Sequence, residues 1–177
     1  MAIDQKLLLQ AAPLYVEREN TEYVTSGSLV PITRKRIVIF HALEAFRMVE
    51  GFIVLLRKAG VQAYYDWNSG YVVDAERHNP EYDLKTRVAK ADLCFFLCTE
   101  SSVTSEQCLK AYKFASLINR RIYVAHTLSG ETEWALQVSD IYNQLDIDRG
   151  PGGAPRVKVL NQERRRLWVA INSESQL

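Results

Sequence analysis

Along residues 36–127 the apolar positions follow two alternating rhythms. Short apolar runs occur at 37–42 (IVIFHA), 61–65 (VQAYY) and 93–98 (LCFFLC), and a fourth, RIYVAHT, begins at Arg121. Between them lie helix-length segments whose apolar residues recur three and four positions apart, as Phe46, Val49, Phe52, Ile53 and Leu56 do. Continuous apolar runs joined by amphipathic crossovers predict parallel strands in an open, doubly wound α/β sheet. The first, third and fourth strands are apolar enough to be covered on both faces. Such sheets take ligands outside the carboxyl ends of their strands. Those ends carry His41, Asp66, Trp67, Glu100, Ser101 and Ser102.

The local signals refine this outline. Asp4 is placed to cap a short helix through Ala12, and Pro13 to end it. A helix is expected over 44–58, with Gly60 ending it in a left-handed turn. Residues 66–80 form a long polar stretch, DWNSGYVVDAERHNP, of the kind that is functional or mobile inside a compact domain. A helix at 81–91 turns Leu84 and Val88 inward. Thr104 or Ser105 caps the next one, which buries Leu109, Tyr112, Ala115 and Leu117 or Ile118. Beyond the fourth strand the pattern predicts a helix at 134–145, a turn-rich loop DRGPGGAP, a short fifth strand VKVL at 157–160 and a closing helix at 162–172. Residues 1–33 read as an N-terminal extension that packs on the domain or pairs at a sheet edge, and residues 34–177 as the α/β domain.

Composition narrows the function classes. The chain has 177 residues, enough for one domain with a sizeable core. A formal net charge of +1 gives no global attraction to nucleic acid or an anionic membrane. No apolar run approaches the ~20 residues that span a bilayer. A basic leader is lacking before LLLQAA, which argues against a signal peptide. Cys94, Cys98 and Cys108 show no C-x-x-C or His-rich spacing, so free buried thiols and a reducing, cytoplasmic setting are expected, with no metal site. Arg164, Arg165 and Arg166 read as a solvated helix face.

Several chemistries are absent from the motif record. Neither G-x-G-x-x-G nor G-x-x-x-x-G-K-[ST] occurs, and there is no G-x-S-x-G elbow. His41, His78 and His126 lack metal-ligand spacing, although His41 and His126 both fall at strand ends. The carboxylates are more suggestive. Asp66 follows the second strand, Glu100 the third, and Glu106 opens the next helix, where it suits the positive helix end. Their functional reading is a general acid or base, or an acceptor for ribose hydroxyls.

At this point the residues resemble a known family, the Toll/interleukin receptor (TIR) domain in its bacterial stand-alone and defence-associated forms. The resemblance covers residues 34–127, and the C-terminal third only by topology. Ile39, Phe40, His41, Ala42 and Glu44 stand where the family has an I-S-H-A-like run followed by acidic residues. Asp66 and Trp67 match a recurrent Asp-Trp after the second strand. Residues 68–80 correspond to the loop that gates the nucleotide pocket and mediates assembly, and LKTRVAKADLCFFLCTESSVTS to the helix, third strand and Thr/Ser-rich turn that follow.

The resemblance implies a flavodoxin-like open parallel five-stranded sheet, order 2-1-3-4-5, with helices on both faces. It also implies NAD as ligand or substrate, with contacts from His41, Ala42, Asp66, Trp67, Ser101 and Ser105. Catalytic members cleave NAD with a Glu in a Ser-x-Trp-x-x-x-Glu-like pattern. Aligned on Ser105, this chain has Gln107 for the Trp and Ala111 for the Glu, and Leu43 replaces a serine after Ala42. Glu106 lies more than a turn, about 5.4 Å of rise, from position 111.

Two expectations follow. One is a signalling or defence module that assembles with itself or another TIR protein, needs no cofactor, and presents Trp67, Tyr71 and Val72 at its interface. The other is an NAD glycohydrolase or cyclase using a displaced carboxylate, Glu106 or Glu100.

Overall fold

The computed structural model describes residues 2–16, 35–66, 80–118, 121–127, 142–160, 168–171 and 177. The chain opens with α1 (Gln5–Ala11). Asp4 caps it, its carboxylate accepting from the Lys6 amide at 2.9 Å, and Pro13 sits in a 3-10 turn that ends it. Strand β1 (Arg36–Phe40) leads through a 3-10 turn at Leu43–Ala45 into α2 (Phe46–Lys58). Gly60, with φ 94°, reverses the chain towards β2 (Tyr64–Asp66). Then come α3 (Pro80–Lys90), β3 (Leu93–Cys98), a short α4 (Glu100–Thr104), α5 (Glu106–Leu117) and β4 (Ile122–His126). Strands β5 (Asn143–Arg149), β6 (Pro155–Leu160) and β7 (Trp168–Ile171) complete the described chain.

These strands form one mostly parallel sheet. Its order runs β2-β1-β3-β4-β5-β6, and β7 adds a seventh strand along the outer edge of β6. The pairs from β2 to β5 are parallel; β5–β6 and β6–β7 are antiparallel. β3 and β4 are buried along their whole length, and β1 is buried after its first residue, as strands sandwiched between helices must be.

Alternation sends the side chains to two apolar clusters. Ile37, Ile39, Phe95, Leu97, Tyr123, Leu145 and Val157 meet α1 and α2 on one face. Val38, Phe40, Phe96, Cys98, Ile122 and Val124 meet Val88 of α3 and Cys108, Ala111 and Ala115 of α5 on the other. Helices thus cover both faces.

The N-terminal segment belongs to this core. Ile3, Leu8 and Ala11 are buried in the first cluster, together with Leu177. Gly51 of α2 makes the approach of α1 feasible, because a Cβ there would lie 1.8 Å from the Leu8 carbonyl oxygen.

The structure departs from the sequence expectations in the C-terminal third. Five parallel strands in the order 2-1-3-4-5 are present, but the fifth is Asn143–Arg149, not VKVL. VKVL belongs to β6, which pairs antiparallel with β5. Residues 143–145, expected as the end of a helix, begin β5, and 168–171, expected in a closing helix, form β7. The physical reason lies in the hairpin. Gly152 and Gly153 take φ of 82° and 80°, which turns β5 back onto β6 and lets both strands share a ladder.

Smaller corrections concern α2, α3 and α5. Phe46 lies at the exposed rim of its stripe, and Leu117 is 83% exposed whereas Ile118 packs on the second cluster. Pro80 opens α3, a position where its missing N–H costs nothing. The rest of the polar stretch after β2, the expected interface residues Trp67, Tyr71 and Val72, and Arg164, Arg165 and Arg166 lie outside the described residues.

Candidate functional site

The carboxyl ends of the parallel strands carry most of the polar side chains singled out from the sequence. They divide into two neighbourhoods. The first sits where β1 and β3 end. His41 is buried, and its Nδ1 lies 2.8 Å from the Ala42 carbonyl, a geometry that needs the proton on Nδ1. The Ala42 amide donates to Ser102 Oγ at 3.2 Å. Thr99 then organises the turn after β3. Its Oγ1 caps α4 by accepting from the Ser102 amide at 3.1 Å, and lies 2.8 Å from Ser102 Oγ and 3.1 Å from Ser101 Oγ. His41, Ala42, Ser101 and Ser102 are therefore brought together, with Thr99 as the hub.

The other expected residues are placed elsewhere. Asp66 is held by Arg87 of α3 through two bonds, Nε to Oδ2 at 3.0 Å and Nη2 to Oδ1 at 2.5 Å. That fork ties the end of the edge strand β2 to α3. Ser105 caps α5, accepting from the Cys108 amide at 3.4 Å. Glu100 is exposed in the first turn of α4. The Glu106 side chain is 81% exposed and pairs with Lys110 at 2.7 Å, one turn on. The hydrogen bond from Lys110 holds its carboxyl below the ordinary range. Ala111 is 2% exposed and packs inside the second cluster.

The second neighbourhood lies where β4 ends, beside the middle of β5. Thr127 donates to the Cys98 carbonyl twice, from its amide at 2.9 Å and from Oγ1 at 2.7 Å. The N-terminal segment reaches the same place. The Ile3 amide donates to the His126 carbonyl at 2.6 Å, and Gln5 Nε2 to the Thr127 carbonyl and Oγ1 at 3.3 and 3.2 Å. His126 pairs in register with Cys98 across to β3, so β3 stands between His126 and the strand that leads to His41.

Burial pushes the His126 imidazole down to about 4 and the Cys98 thiol up to about 12, so both are neutral near pH 7. Burial also raises the Asp146 carboxyl. Asp148, two residues on, behaves in the opposite way. Arg156 grips it at 3.0 and 2.9 Å, Lys158 joins them, and the carboxyl falls to about 2.

Sequence reasoning missed Thr99, Arg87 and Asp146. Arg87 acts through a partner distant in sequence, and Thr99 through Ser101 and Ser102 in the turn directly after it. Asp146 had a local signal: in NQLDIDR the apolar Leu145 and Ile147 alternate with Gln144, Asp146 and Asp148 at the strand period.

Among the described residues no group of His, Cys, Asp and Glu is placed to hold a metal ion, and no helix is long and apolar enough to cross a membrane. No known family model matches the chain, and no curated protein matches it.

Proposed function

We propose that the chain is a TIR-like signalling or defence module that acts by assembling with itself or with another TIR-containing protein, without standard NAD hydrolysis. The observation that carries this reading is the state of α5. Ala111, at the position of the family's Glu, is packed in the core, and Glu106, the carboxylate before it, points into solvent and is paired with Lys110. An exposed, ion-paired carboxylate is a poor stabiliser of a developing oxocarbenium charge, because water screens it. The parallel order 2-1-3-4-5 supports the flavodoxin-like, TIR-type arrangement. The hydroxyls after β3 bond to one another and to the Ala42 amide, so their geometry serves the turn.

A module without its own chemistry acts through a surface, and Trp67, Tyr71 and Val72 supply apolar anchors among polar neighbours. The test has two arms. Purified protein incubated with NAD is expected to release no nicotinamide, and light scattering across a wide concentration range is expected to show assembly that Trp67→Ala with Tyr71→Ala abolishes. Nicotinamide release lost in Glu106→Gln would instead establish the displaced-carboxylate enzyme.

A further inference from the structure

Among the described residues, two buried side-chain atoms lack a hydrogen-bond partner: His126 Nε2 and Asp146 Oδ2. They are neighbours. The last register pair between β4 and β5 is Ala125 with Leu145, and His126 and Asp146 each come one residue later. Side chains alternate along strands, so both project to the face of Val124 and Gln144. His126 is 8% and Asp146 2% exposed. An orphaned buried polar atom is costly, and two side by side at the edge where open α/β sheets receive ligands ask for a partner.

We propose that the carboxyl end of β4, with the middle of β5 beside it, forms a binding site for a hydroxyl-bearing small molecule, held by His126 Nε2 and Asp146 Oδ2. The charged groups around the site are Asp146 and Asp148, Arg156 and Lys158, and the N-terminal ammonium, whose charge acts on both His126 and Asp146; Lys158, the cross-strand partner of Asp146, is engaged by Asp148. An ionised ligand would have to give up its hydration in a desolvated place. The Cys98 thiol, in register beside His126, is an uncharged wall.

Hydrogen-bond chemistry selects the hydroxyl. A carboxylate oxygen only accepts, whereas a neutral imidazole nitrogen donates or accepts according to its tautomer. A hydroxyl does both, so it satisfies Nε2 in either tautomer while donating to Asp146. Two hydroxyls on one small molecule suit two anchors on adjacent strands about 4.8 Å apart. This site is independent of assembly: a chain that never leaves the monomeric state still presents it.

The experiment follows the imidazole nitrogens of the full chain by long-range proton–nitrogen NMR, with the His126 signals identified by their loss in His126→Gln. Glycerol, myo-inositol and D-ribose are titrated separately. A saturable shift of His126 Nε2 with at least one of them is expected, and Asp146→Asn should weaken that binding tenfold or more while keeping its melting transition. Saturation with glycerol alone identifies an open-chain polyol site, and saturation with inositol or ribose a ring-sugar site. If Asp146→Asn fails to fold, His126→Gln followed through backbone amides of β4 and β5 gives the same comparison. No saturable shift with any probe, or a shift indifferent to both substitutions, overturns the inference and leaves a site filled by water.

Discussion

The two halves of the sheet's carboxyl edge solve the same problem in opposite ways. Where β1 and β3 end, Thr99, Ser101 and Ser102 bond to one another within a short stretch of chain, and Ser102 also accepts from the Ala42 amide beyond β1. Where β4 ends beside β5, the backbone is served by Thr127 and by the distant N-terminal segment, while His126 and Asp146 keep orphaned atoms. A closed network rigidifies a turn, and removing any member leaves the others unpaired. An open pair stores the cost of desolvation until something relieves it. Buried polar groups can therefore serve architecture on one side and, in the proposed site, recognition on the other.

The strongest way to break this contrast is Gly51→Val. It drives a side chain into the Leu8 carbonyl and should lift α1 from α2. Overpacking alone costs about 1–3 kcal/mol. The loss falls on the β4 half, because that half depends on Ile3 and Gln5. Hydrogen exchange should therefore rise at Ile3 and Thr127 and stay unchanged at Ser102. Equal protection at all three would mean that α1 is not a support of that edge.

Ser102→Val should come next. It leaves the Ala42 amide without its acceptor and costs about 1–3 kcal/mol in denaturant unfolding. Asp146→Asn should have a smaller effect, leaving the unfolding midpoint at pH 7 unchanged or raised, because it removes a carboxylate whose ionised form burial disfavours. A clear loss of stability would show that the carboxylate has a partner that the amide does not replace.

The smallest effect is in pH dependence. The His126 pKa is depressed in the folded chain, so between about 6.5 and 4 the unfolded state binds more protons, and stability falls as pH is lowered through that window. Asp146 works against this just above its ordinary value, since its folded form holds a proton the unfolded form has released. Unfolding midpoints of His126→Gln should decline less steeply from pH 6.5 to 4 than those of the native chain; parallel curves would show that the imidazole does not titrate differently on folding.

How much of this was legible depended on the range of the interactions. LCFFLC announced a strand buried on both faces, and Asp4, Gly60 and Ser105 announced helix boundaries, because each acts on its immediate neighbours. The end of the sheet was misread where local apolar density was low. Trp134, Leu136, Val138 and Ile141 suggested a helix and drew Leu145 into it, although Leu145 and Ile147 alternate with Asp146 and Asp148. In the site, the strand ends holding His41, Ser101 and Ser102 could be located from the pattern. Their hydrogen bonds could not, because Ala42 meets Ser102 only after two crossovers have aligned β1 and β3.

The switch from parallel to antiparallel pairing at β5 also sets a schedule. β5 and β6 join through a tight turn, so Arg149 finds Pro155 across a very short loop, whereas Ile37 must wait for Leu93. Closing a loop costs more entropy as it lengthens, and chains rich in distant contacts fold slowly. The C-terminal hairpin is thus the natural seed, and the apolar central strands are the late arrivals. On a growing chain that order is reversed: β1, β3 and β4 emerge before the seed exists. Stopped-flow refolding should show Val157→Ala slowing folding, and Val38→Ala mainly hastening unfolding. During synthesis LCFFLC has β1 to pair with but waits for β4 to cover its other edge, the interval in which a chaperone has most to protect.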